Sequence, residues 1–289
     1  MNQAIHPQQV AQQIAALQVY IDEPQQPDPQ QPNDQPQQTI LLVHGWPDTY
    51  RVWDAQIPAL SQQYRCIRVT LPNYALSATP DKSPRFYSIQ QVAEMLDQVV
   101  DTYSPDQPVI LLIHDWGCVF GYQFYRNHPD KISKIIALDI GDALSKSHIK
   151  SLKAYQLAML ATYQFNLALA WRMPEAAGNK LTQWFAKGLK QPTPVDPVHR
   201  GMNYPYYQAW FKALSQPIKP FHLVPDCPIL FVYATRKPFM FHSNDWLQRL
   251  QAKSGNQVTG MRTGHWIMRE QPEQFNQLVL DWLSPTHSA

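Results

Sequence analysis

From Thr39 onward, short runs that are apolar at nearly every position alternate with longer segments whose apolar residues recur every three to four positions. Thr39 to His44, Cys66 to Thr70, Val109 to His114 and Lys134 to Asp139 read as strands. Ser88 to Thr102 and Trp116 to Asn127 read as helices, the first capped by Ser88 and the second stopped at His128-Pro129. A strand that is apolar throughout is buried on both faces, so this order predicts a mostly parallel sheet with helices on either side. From about Ala143 to Leu223 the strand rhythm gives way to helical, aromatic-rich sequence, which predicts an insertion. The alternation resumes with a strand at Pro228 to Ala234, a helix near Asp245 to Lys253, a strand around Val258 to Met261 and a last helix from Pro272 to Leu283. Ahead of this pattern, Leu17 to Ile21 reads as a short strand. Pro24 to Gln38, almost all Pro, Gln and Asp, reads as a mobile surface loop because it offers no apolar face and few backbone donors.

These break-points divide the chain into an N-terminal segment with a short strand and a Gln/Pro-rich loop (1–38), a first core part (39–142), a helical cap (143–223) and a second core part (224–289). A length of 289 residues suits one large α/β domain with such a cap. With 44% hydrophobic and 16% charged residues the chain can fill a core. The net charge of +2, with Lys and Arg scattered, argues against a nucleic-acid partner. Cys66, Cys118 and Cys227 are odd in number, far apart and without metal-ligand spacing, so they read as buried thiols in a reducing compartment. No signal-peptide pattern and no apolar run long enough to span a bilayer stands out, giving the expectation of a soluble, cytoplasmic protein with no membrane partner. The oligomeric state is not encoded in any feature of the sequence.

The candidate chemistry centres on Ile110 to Gly121, I-L-L-I-H-D-W-G-C-V-F-G, where an apolar strand runs through a carboxylate directly into a helix. One reading is a nucleophile elbow, a strained strand-to-helix turn that exposes a nucleophile beside the next backbone N–H. A carboxylate there would attack an sp3 carbon and form an alkyl ester for water to hydrolyse. The other reading is an Asp that merely caps the following helix.

Three landmarks, in order and context, tip the balance: His44-Gly45-Trp46-Pro47, Asp115 in H-D-W-G, and His265 in T-G-H-W-I-M. Across nearly its whole length the chain resembles the α/β-hydrolase fold, in particular the branch of epoxide hydrolases and haloalkane dehalogenases. The resemblance implies Asp115 as nucleophile, His265 as the base that activates water, and the backbone N–H groups of Trp46 and Trp116 as an oxyanion hole. It implies no cofactor and no metal, and a small apolar electrophile as substrate. His44 and His114, flanking the two turns, read as structural.

The pattern is broken in three places. Epoxide hydrolases usually carry the acid that orients the histidine in a motif similar to G-E-K-D-P; here Ala234 to Pro238 reads A-T-R-K-P, with Lys237 at the acid's position. Haloalkane dehalogenases often place that acid after the strand following the nucleophile's helix, which makes Asp139 the candidate, with Asp142 and Asp245 behind it. Epoxide hydrolases also use two cap tyrosines to protonate the opening ring. Tyr163 and Tyr155 are candidates for the first; for the second, strict register falls on Pro205, leaving Tyr204 and Tyr206 on either side. Finally, Thr70 to Ser77 (T-L-P-N-Y-A-L-S) has Asn73 and Ala75 where the family usually has glycines, a loop that Asn can still follow because it tolerates positive φ. Trp171, Trp184, Phe185, Trp210 and Phe211 would either wall an apolar pocket or pack the cap onto the core. The function expected is epoxide hydrolysis through an aspartyl ester, with haloalkane dehalogenation and a binding protein without turnover as alternatives.

Overall fold

The computed structural model describes residues 12–24, 38–75, 84–192 and 197–284. The expected Gln/Pro-rich loop, apart from its end residues Pro24 and Gln38, and Leu76 and Ser77 of the Asn73 loop lie outside the described residues. Eight strands form one sheet: β1 (Gln12–Ile14), β2 (Leu17–Asp22), β3 (Thr39–Val43), β4 (Arg65–Thr70), β5 (Val109–His114), β6 (Ile132–Leu138), β7 (Ile229–Ala234) and β8 (Gln257–Met261). Their order across the sheet is β1-β2-β4-β3-β5-β6-β7-β8. β1 and β2 run antiparallel to their neighbours and the other six strands are parallel.

The apolar runs fill both faces. Ile40, Leu42, Leu112, Ile136 and Val232 point to one side, where they meet Trp53 and the last helix; Leu41, Val43, Leu111, Ile113 and Phe231 point to the other. Alternate residues of one strand thus enter different cores, and none of these ten is left for solvent. The helices are α1 (Ile57–Leu60), α2 (Ile89–Tyr103), α3 (Trp116–Asn127), α4 (Lys146–Ser151), α5 (Ala154–Arg172), α6 (Glu175–Gly188), α7 (Tyr204–Phe211), α8 (Asn244–Gln251), α9 (Ile267–Glu270) and α10 (Pro272–Leu283). Ser88 caps α2 in a full capping box with Gln91, as the serine ahead of the helical pattern suggested. The short elements β1, α1 and α9 carry too few residues to show periodicity, and the hydrophobic pattern did not announce them.

Between β6 and β7 the chain forms α4 to α7. This stretch is tied to the core by polar side chains. The Trp46 indole N–H donates to Asn203 Oδ1 at 2.9 Å, and Asn203 Nδ2 donates to Thr182 Oγ1 of α6 at 2.7 Å. Asn73 adopts φ +67°, and its side-chain amide donates to the carbonyls of Arg85 (2.8 Å) and Gly201 (3.1 Å). The residue standing where glycine was expected therefore takes the glycine-like backbone and adds a strap to the inserted stretch.

Candidate active site

The parallel strands end on one side of the sheet, and the chemistry-bearing residues stand where they end. β5 runs into Asp115, held at φ +55°, ψ −126°, and α3 begins at the next residue. A non-glycine residue at positive φ costs about 1–3 kcal/mol and lifts its side chain out of the strand-to-helix turn. The turn is also too crowded for bulk: a Cβ on Gly45 would lie 2.3 Å from Asp115 Oδ1, and one on Gly117 would lie 2.3 Å from the Val43 carbonyl. These glycines let the β3 and β5 ends approach so closely that the Trp46 N–H donates to Asp115 Oδ1 at 2.7 Å. The Trp116 N–H, next along the chain, adds to what favours the charged carboxylate.

His265 follows β8, with its Nε2 3.2 Å from Asp115 Oδ2 and its Nδ1 2.5 Å from Asp139 Oδ2. Asp139 leaves β6 at φ +71° and is fully buried. Its other oxygen accepts the Ala234 N–H at 3.0 Å and pairs with the Lys237 ammonium at 2.6 Å. Burial alone would hold His265 neutral, but the carboxylates on either side outweigh it and raise the imidazole to about 9. Burial likewise pushes both carboxyls up, and is outweighed: His265 brings Asp115 below the usual carboxylate range, and Lys237 with His265 brings Asp139 well below it.

Neither flanking histidine shares this work. His44 Nδ1–H donates to the Gly45 carbonyl at 2.8 Å while Nε2 accepts the Leu71 N–H at 3.0 Å, and burial lowers it to about 4. His114 donates from Nε2 to the His265 carbonyl at 3.0 Å, and burial lowers it to about 3. Both are neutral struts. Of the reserve acids, Asp142 accepts from Ser145 Oγ, Ser243 Oγ and the Ser243 N–H, which ties α4 to α8. Asp245 is exposed beside Arg249. Neither reaches His265.

The tyrosines separate cleanly. Tyr206 lies edge-on to Trp116, Trp46 and Tyr163, at ring distances of 5.1, 5.7 and 6.1 Å. Tyr163 and Tyr206 both feel the Asp115 charge, and burial pushes both hydroxyls above the usual phenol range. Tyr204 instead packs among Tyr74, Tyr87, Phe120 and Trp171. Tyr155 is 56% exposed on the outside of α5. A cavity partly open to solvent has Asp115 and Trp116 in its wall together with Tyr163, Leu160, Phe221 and Phe241. Of the aromatics that could either wall it or pack, none is in its wall: Trp184 and Trp210 are exposed, and Trp171 is packed against Tyr204 and Tyr207. In the sequence, Lys237 stands out only as a missing acid. Its charge, in a stretch that should have held an acid, was the available signal that another carboxylate must come to it. Among the described residues no group of three or more His, Cys, Asp or Glu is gathered as a metal site, and no helix is long and apolar enough to cross a membrane.

A sequence profile of the alpha/beta hydrolase fold matches residues 38–268. Epoxide hydrolase 1 of Caenorhabditis elegans is 24% identical over 267 residues, covering 85% of this chain and 64% of that protein. The Probable oxidoreductase EphD of Mycobacterium tuberculosis is 31% identical over 111 residues, 38% of this chain and 18% of that protein. The chain thus spans less than two thirds of the length of either relative. Among solved structures, the Bacillus megaterium epoxide hydrolase in complex with an inhibitor superposes with a TM-score of 0.68 at 17% identity, covering 95% of this chain and 99% of that one. With the family profile covering most of the chain, and the sheet order and strand-to-helix turn of Asp115 agreeing with it, the protein belongs to the alpha/beta hydrolase fold family.

Proposed function

We propose that the protein hydrolyses epoxides through a covalent ester on Asp115, with α4 to α7 acting as a cap over the site. The observation that carries the reading is a pair of neighbouring tyrosines beside the Asp115 turn: Tyr163 shares the cavity wall with Asp115, and Tyr206 packs edge-on to Tyr163, Trp46 and Trp116. An epoxide has no good leaving group. Opening it needs an acid that is still protonated at neutral pH, and two phenols held above their usual range supply one.

With Oδ1 resting on the Trp46 N–H, Asp115 Oδ2 is the attacking oxygen. It bonds to a ring carbon, the carbon–oxygen bond of the epoxide breaks, and the departing alkoxide takes its proton from a tyrosine, whose phenolate is reprotonated by the proton that His265 then gives up. Esterification removes the Asp115 charge, so His265 loses one of the two carboxylates that hold its proton and becomes a base when one is needed. It takes a proton from water, the resulting hydroxide adds to the ester carbonyl, and the Trp46 and Trp116 N–H groups receive the oxyanion. Collapse returns the proton from His265 to the leaving alkoxide and releases a diol, and the Asp115 carboxyl that remains passes its proton to His265, restoring the resting ion pair. The apolar cavity wall suits a small apolar substrate.

Haloalkane dehalogenation uses the same nucleophile and base, and the position of Asp139 after β6 resembles that branch. It needs two donors for the departing halide, however, and the Trp46 indole is committed to Asn203. A binding protein without turnover is disfavoured by the unbroken line from Asp115 through His265 to Asp139. The test is a single turnover of an epoxide by excess enzyme in ¹⁸O-water. Diol carrying no label, with ¹⁸O appearing in Asp115, is expected, because the first oxygen delivered comes from the carboxylate. Label in the diol from the first turnover would mean direct attack by water, and halide release from haloalkanes without any diol would favour the second reading.

A further inference from the structure

Lys237 occupies the position at which the resemblance placed the orienting acid, and its side chain is only 7% exposed. Its ammonium sits 2.6 Å from Asp139 Oδ1 and 4.9 Å from the centre of the Phe241 ring. A buried ion pair costs desolvation at both ends, so stability alone is a weak reason for it. The pair also stands on the acid that orients the base. We propose that Lys237 is a positioning residue of the hydrolytic step: by neutralising Asp139 from the far side, it leaves His265 a free base once Asp115 has become an ester. The inference rests on the ester mechanism proposed above.

The argument is one of charge in a buried site. In the resting enzyme Asp115 and Asp139 are balanced by protonated His265 and by Lys237. Once Asp115 is esterified, Asp139 and Lys237 already balance each other, and a proton on His265 would be an uncompensated charge. The neutral imidazole, which must accept the proton of water, becomes the favoured form. Remove Lys237 and the unbalanced Asp139 would hold the proton on His265 through the ester stage. When water attacks, protonation of His265 is matched by the new oxyanion, so the site stays neutral at each stage.

The other groups around the cluster do not replace Lys237. From the β5 end, His114 is buried and neutral, and from the β3 end His44 is too. Behind Lys237, burial and the lysine's own charge lower His242 to about 4 and lower His148 on α4 as well. Asp142 spends its oxygens on Ser145 and Ser243. On the cap side Tyr163 and Tyr206 remain protonated phenols. Among the described residues, Lys237 is the cation paired with Asp139 besides His265 itself.

The neutral ester can be imitated without a substrate by Asp115→Asn. In that background, with ¹³C-labelled histidine, the NMR titration midpoint of His265 is compared with and without Lys237→Met. The signal is assigned by its absence from the Asp115→Asn/His265→Gln protein. We expect Lys237→Met to move the midpoint up by about one unit or more, a roughly tenfold gain in proton affinity. Lys237→Gln should do the same and Lys237→Arg should leave the midpoint in place. Midpoints that coincide in all four proteins would overturn the role of Lys237, whether or not the variants lose stability. Such a result leaves the ester reading standing, since that is decided separately by the ¹⁸O experiment.

Discussion

His265 carries a carboxylate on each ring nitrogen, and the consequence reaches beyond catalysis. Its proton is held more tightly in the folded protein, at about 9, than in the unfolded chain, at about 6.5. Stability from this source is therefore fully present below about pH 6.5 and is lost as pH rises through 9. Asp115 and Asp139 have the opposite sign: both are depressed, so their contribution is present above the ordinary carboxylate range and lost as pH falls below it. The buried neutral histidines His44, His114 and His242 act in the same direction as the carboxylates, at higher pH: all three are lowered, so their contribution is present above about pH 6.5 and lost as pH falls toward 4. The thermal midpoint of the wild-type protein is expected to fall between pH 6.5 and 9.5, and the fall should be smaller in His265→Gln. Parallel curves for the two proteins would show that His265 is not held between charges.

At the scale of elements, the inserted helices are registered on the core by a few buried polar contacts as well as by apolar packing. Asn203 sits between Trp46, at the β3 turn, and Thr182 of α6, accepting from one and donating to the other. Asn203→Leu would leave the buried indole N–H of Trp46 without its acceptor, which costs about 1–3 kcal/mol. Urea unfolding should register that loss. Because the proposed mechanism also uses the Trp46 N–H as an oxyanion donor, turnover should fall by more than the stability change alone explains. Unchanged unfolding would mean that this contact does not hold the insertion. The helix containing Tyr204 and Tyr206 shows what the sequence could not reveal. Two residues apart on a helix is a rotation of about 200°, so only one of the two can face Asp115. With Pro205 between them, the motif alone does not say which; in the fold Tyr204 packs against Phe120 and Trp171, while Tyr206 packs against Trp46 and Trp116.

Across the whole molecule, what was legible follows from what is local. The strands from β3 to β8 and the longer core helices α2, α3, α8 and α10 could be read because each carries its own hydrophobic pattern. The Asp115 turn could be read because strand, carboxylate and helix are consecutive. The partners of His265 were harder. Asp139 is 126 residues away along the chain and Lys237 is 98 from Asp139, and their meeting depends on β6, β7 and β8 lying side by side. A substitution that removes an acid from one strand end is read in the sequence as a loss. In the fold it is half of an ion pair whose other half stands at the end of the neighbouring strand. The same holds for the cavity wall: aromatic content marked the insertion, but not which rings turn inward.

The central claim is that Asp115 forms an ester that His265 must hydrolyse. Withholding the base while leaving the nucleophile intact tests it most directly. His265→Gln, incubated with small apolar epoxides and examined by intact mass, should gain the mass of one epoxide, mapped to Asp115 by peptide sequencing. General-base loss should slow release by roughly 10²–10⁴-fold, long enough to trap the adduct. Asp115→Asn/His265→Gln should gain nothing. No adduct with any epoxide that the wild-type protein converts to a diol, or an adduct mapped to another residue, would contradict the account.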